Sequence, residues 1–157
     1  MTIENKHVYH ALLSFDGLHL SFPQHQVIHI ELTDSIQYTN NEDQSIFGQW
    51  TYRGIDVPVF SLSAELHLLS ELSPDRRFCV AFKIDEEPSF ALACDAVESL
   101  LLEEESVLQP LPVPMITEPT PIRHLLRQGE NLIYICDAKS MHSYLSEECT
   151  TLRKYAA

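Results

Sequence analysis

Glycine is scarce, with four in 157 residues. A loop that cradles phosphate needs glycines close together, so this chain has little material for one. It also lacks a G-x-S-x-G elbow and an H-E-x-x-H helix. No residue set reads as catalytic, so a non-enzymatic protein without a cofactor is expected. Positive charge is short too: 10 Lys and Arg stand against 23 Asp and Glu, a formal net charge of −13. That balance disfavours nucleic acid and anionic membrane surfaces as partners. No apolar run approaches the length of a membrane span, so no membrane insertion is expected. The first residues, Met1 to His7, lack a charged-then-apolar signal pattern, and a cytoplasmic location is the expectation. The cysteines (Cys79, Cys94, Cys136 and Cys149) have no C-x-x-C spacing and read as buried, reduced thiols.

What is present is β-type patterning in a chain of one-domain size, able to bury about 68–70% of its unfolded surface without disulfides or metal. Trp50 to Leu62 says most. Apolar residues recur at Ile55, Val57 and Val59, giving a strand with one buried face. Arg53-Gly54 precedes it as a tight turn, where glycine accepts positive φ. Pro58 lacks an amide donor, which predicts an edge strand or one about to end. Ser61 offers a cap for a short helix over about 62–70.

Upstream, Val8–Phe15 and Leu18–Phe22 flank Asp16-Gly17, a hairpin signal, and Val27–Leu32 resumes the alternation. Three strands in 25 residues predict a meander. Thr33 to Ser45 is a polar loop. Downstream, Arg77–Ile84 and Ser89–Val97 are apolar strands around the loop at Asp85–Pro88. The prolines from Pro110 to Pro121 make an extended connection. Ile122–Arg127 and Leu132–Cys136 are strands around a turn at 128–131, and Asp137 caps a helix through about Leu145. Residues 146–157 are a helix-permissive tail that frays. Strand pair, strand and capped helix thus occur twice, which fits two small barrels of similar build.

Few polar residues stand out. His25 and His29 are four apart, but on a strand that spacing spans about 13 Å. With His7, His10 and His19 they leave open a small β-barrel module binding a ligand or metal through N-terminal histidines. Glu103-Glu104-Glu105 reads as a solvated turn. Asp95, inside an apolar strand, reads either as an acid of raised pKa or, preferred here, as a hydrogen-bonded bend residue. Arg53, beside Tyr52 and Trp50, is of the residue types that dominate protein interfaces, while Trp50 could equally be core.

Gly48, Arg53, Gly54, Pro58 and Leu62 match the segment G-x-x-N-L-R-G-x-x-x-P-x-x-D-L. Thr51-Tyr52 stands for Asn-Leu, and Ser61 for Asp. Ala91–Val97 is similar to G-x-x-V-D-x-V through Asp95 and Val97. The proline-rich stretch and Gly129–Asp137 follow in the same order, with His124 where a glycine is expected. In these features the chain resembles the CheW-like family of chemotaxis coupling proteins, over about Val8 to Leu145. The resemblance implies a mainly β fold of two five-stranded SH3-like barrel subdomains sharing a core, with short helices. It implies one CheW-like domain over 1–157, with its core at 8–145. It also implies a scaffold linking a chemoreceptor's cytoplasmic tip to the regulatory domain of a chemotaxis-type histidine kinase. Val27, Gly48, Arg53 and Gly54 would then contact these partners.

Overall fold

The structure is a computed structural model that describes residues 8–38, 48–69, 73–102, 108–109 and 120–156. His7, Glu103–Glu105, the prolines from Pro110 to Pro119 and positions 39–45 of the polar loop lie outside the described residues. Along the chain run β1 (Val8–Phe15), β2 (Leu18–Pro23), β3 (Val27–Leu32), β4 (Gln37–Tyr38), β5 (Gly48–Tyr52) and β6 (Ile55–Phe60). Then come β7 (Phe78–Ile84), β8 (Glu87–Cys94), β9 (Ala96–Leu102), β10 (Leu108–Gln109), β11 (Ile122–Gln128), β12 (Asn131–Cys136) and helix α1 (Ala138–Ala156).

These strands form two sheets, ordered β10-β11-β12-β2-β1-β9 and β3-β7-β8-β6-β5-β4. Each has five strands of five or more residues plus a two-residue strand at one edge. The expected architecture of two five-stranded units is therefore present. The second sheet curls on itself: His29 of β3 stacks on Trp50 of β5, 5.4 Å between ring centroids, although three strands separate them in sheet order.

Alternation along β7 shows how the units share a core. Cys79 and Ala81 face one way, into a cluster with Trp50, Val57 and Val59 inside the curled second sheet. Val80 and Phe82 face the other way, meeting Phe15, Leu20 and Phe22 of the first sheet and Met141 and Leu145 of α1. Burial on both faces is why β7 and β8 read as nearly continuous apolar runs. A third cluster, Leu100, Leu126, Ile133 and Ile135, belongs to the first sheet alone. Trp50 is thus a core residue.

Two expectations need correction. β3 does not continue a meander: β1 and β2 pair in the first sheet, while β3 pairs with β7 in the second. Pro23 and the 3₁₀ turn Gln24–Gln26 redirect the chain between the sheets. Nor does a helix follow Ser61. The segment folds back through a bridge between Leu62 and Leu68. Ser63 Oγ accepts from the amides of Glu65 and His67, offering the backbone a turn instead of a helix. Leu66 stands at φ +65°, a backbone no right-handed helix contains, and Leu62 with the partly buried Leu66 and Leu68 all reach the shared core. The Pro58 expectation is met in its second form: β6 is an interior strand but ends at Phe60, two residues on, and it meets β8 only at Val59 and Phe60. The half of β6 that contains Pro58 has β5 as its sole ladder neighbour among the described residues, so the missing donor is tolerated.

Asp137 does cap α1. Its Oδ1 accepts from the Ser140 amide at 2.7 Å and its carbonyl from Met141 at 3.0 Å. Gln26 Oε1 adds a second cap, accepting from the Ala138 amide at 2.8 Å. The helix runs past Leu145 to Ala156. Asp137→Ala should cost about 1 kcal/mol, lowering Tm by about 2–4 °C; a calorimetric scan checks it.

Candidate functional site

The β5–β6 turn places Arg53 at φ 50° and Gly54 at φ 82°, both left-handed. Such a type I′ turn suits the twist of a two-residue hairpin. No atom lies within 4 Å of a Cβ built on Gly54, so glycine is needed there for its backbone and not for space. Thr51 Oγ1 donates to Asp56 Oδ1 at 2.7 Å across the base of the hairpin. The Arg53 guanidinium carbon lies 5.2 Å from the centroid of the Tyr52 ring, a cation–π contact at the surface.

This turn forms one lip of a cleft of about 430 Å³ at the end of the second barrel. Val27 and Ile28 of β3 lie in the same cleft, as does Ile55, which is 42% exposed. The opposite lip is the β7–β8 hairpin, with Lys83, Glu86, Glu87 and Pro88. Two of the anticipated contact residues, Val27 and Arg53, thus meet in one cleft, with Gly54 next in chain to Arg53. Gly48 does not join them. It is buried at the far end of the hairpin, opposite Val59. The β7–β8 lip was missed in the sequence, although the acidic Asp85-Glu86-Glu87 loop marked it.

A second polar cluster lies at the junction of the sheets. Arg76, just before β7, is 1% exposed. It donates from one terminal nitrogen to Ser61 Oγ at 3.0 Å and from the other to Asp16 Oδ2 at 2.7 Å. Its guanidinium packs 4.6 Å from the centroid of Phe15. Asp95, where the chain passes from β8 of one sheet to β9 of the other, sits with Oδ1 3.1 Å from Arg76 Nε. The pair is close in distance but misaligned, since neither atom makes a hydrogen bond among the described residues. Asp95 Oδ2 accepts from the Asp16 amide at 3.3 Å, and its own amide donates to Ser14. The structural reading of Asp95 as a bend residue holds, with a buried arginine as its unforeseen partner.

No protein-family model matches the chain, and no curated protein matches its sequence. Among solved structures, it is similar to the scaffolding protein TtCheW from Thermoanaerobacter tengcongensis. That match has a TM-score of 0.65 and 19% sequence identity, and covers 82% of this chain and 88% of that one. The chain has a CheW-like fold. At that identity the likeness fixes the architecture, and the side chains must be argued from this chain alone.

Within the CheW-like fold the N-terminal histidines are dispersed. His10 Nδ1 pairs with Ser21 Oγ at 3.2 Å inside the first sheet, where burial, then the nearby His25, holds its pKa below the usual histidine value. His19 Nδ1 pairs with Ser14 Oγ at 2.8 Å. His29 packs against the rings of both Trp50 and Tyr52, 3.4 Å from Glu31. Among the described residues no three His, Cys, Asp or Glu side chains converge as a metal site. Nor is any described helix long and apolar enough to cross a membrane.

Cys79, Cys94 and Cys136 are free and buried. Burial pushes the thiols of Cys79 and Cys94 up to about 12, and that of Cys136 upward as well. The thiolate is the reactive species. These three cysteines should therefore resist alkylation at pH 8 in the folded chain and react fully in denaturant; peptide mass spectrometry after timed labelling checks this.

Proposed function

We propose that this protein is a non-enzymatic coupling scaffold that links a chemoreceptor's cytoplasmic tip to the regulatory domain of a chemotaxis-type histidine kinase. The carrying observation is that the CheW-like fold gathers Val27 and Arg53, 26 positions apart, into one surface cleft. That cleft joins a cation to exposed apolar surface, the composition of a protein contact. Gly54 serves it by making the turn, and Gly48 supports the same hairpin from its buried end. A cytoplasmic location follows from this role. The test is a titration of the purified chain against a cognate kinase regulatory domain and a receptor tip, by calorimetry or interferometry. Saturable binding to both is expected. Binding to neither by folded protein defeats the proposal.

A further inference from the structure

The cleft carries opposite charges on its two lips. Arg53 projects from the β5–β6 turn, and Glu86 and Glu87, beside Lys83, from the β7–β8 hairpin, over a floor that includes Val27 and Ile28. Among the described residues, what binds Glu86 to the fold is an exposed contact to Lys83, 3.2 Å from Nζ, with 85% of its own side chain in solvent. Such a pair holds little energy. The rest of its carboxylate's interaction is open to an incoming group.

The backbone at this lip is unusual. Asp85 and Glu86 have φ 52° and 67°, so both central residues of the turn are left-handed and neither is glycine. The other two-residue turns all use glycine for a left-handed residue, in the second place at Asp16-Gly17 and Arg53-Gly54 and in the first at Gly129-Glu130. The Asp85-Glu86 turn gives up that relief and gains a carboxylate at the mouth of the cleft.

Resting on the coupling role proposed above, we infer that the cleft selects a partner helix by charge register. The helix presents an apolar stripe to the floor, a carboxylate toward Arg53 and a lysine or arginine toward Glu86–Glu87. Charge complementarity across the lips is the ground for this occupant. The cleft is also walled by side chains of two turns, which suits inserted side chains better than an added strand. Glu86 is then a specificity-determining residue: an acidic side chain on the partner at its place would be repelled.

The test uses the full chain with the receptor tip and kinase regulatory domain, comparing Glu86→Gly, Glu86→Lys and Arg53→Glu. Glu86→Gly relieves the left-handed backbone, so Tm should rise by about 2–4 °C while association slows by about threefold. Glu86→Lys should slow association by about tenfold at low salt, the gap closing toward 1 M as charges are screened. A rise in Tm with slower binding separates partner selection from a purely structural role. If Arg53→Glu weakens binding while both Glu86 variants associate at the parental rate at every salt concentration, the charge-register inference falls and the coupling cleft stands. If Arg53→Glu is also without effect, or the parent protein binds neither partner, both fall.

Discussion

Arg76→Ala should lower the unfolding free energy by about 3 kcal/mol, at the lower edge of the range for breaking a buried ion pair. The lower edge applies because the carboxylates left behind are partly solvated: Asp16 is 49% and Asp95 31% exposed. Three losses add. Ser61 Oγ, fully buried, loses its donor. The Phe15 ring loses the cation packed on it, and the space of a large side chain empties beside the shared core. For a domain of this size the Tm should fall by about 6–12 °C. Arg76→Lys keeps the charge but cannot reach Ser61, Asp16 and Asp95 together, because an ammonium lacks the planar fork. It should recover less than half of the loss. Chemical denaturation of the three proteins side by side checks this, and a midpoint for the alanine variant equal to that of the parent would show that the cluster is incidental.

The same arginine shows where sequence reading ran out. Strands were legible because a two-residue alternation is a local signal, and the turns at Asp16-Gly17 and Arg53-Gly54 because each needs left-handed backbone. Asp137 was legible as a cap because capping is decided within one turn of the chain. Ser61 resembles a cap by the same local rule, yet its hydroxyl is taken by Arg76, 15 positions away. Its neighbour Ser63 then closes a turn where a helix was expected. Val27–Leu32 alternates as a strand whichever sheet receives it, so periodicity could not say that β3 pairs with β7 and not with β2. The cleft failed on the same ground. Val27 and Arg53 came from a family resemblance, whereas Glu86 became visible as their counterpart only when the curl of the second sheet set two hairpin tips face to face.

The Arg53→Glu variant carries the second large effect, and it falls on binding. An interface arginine whose charge is reversed loses its own contact and repels the group it met, so affinity for the partner that occupies the cleft should drop by about 30-fold or more. Stability should hardly change. Arg53 projects from a turn, and its contact on the fold is the surface approach to Tyr52, worth about 0.5–1 kcal/mol. Its left-handed backbone is no easier or harder for glutamate than for arginine. The expected signature is thus a steep loss of affinity with Tm held within about 2–4 °C. A large fall in Tm would instead make Arg53 a structural residue of the hairpin. Adding Glu86→Lys to Arg53→Glu swaps the sign of both lips. If the cleft reads charge in a fixed register, the double variant should bind the native partner worse than either single change. It should regain affinity for a partner helix whose acidic and basic residues have been exchanged, a recovery that general surface repulsion cannot produce.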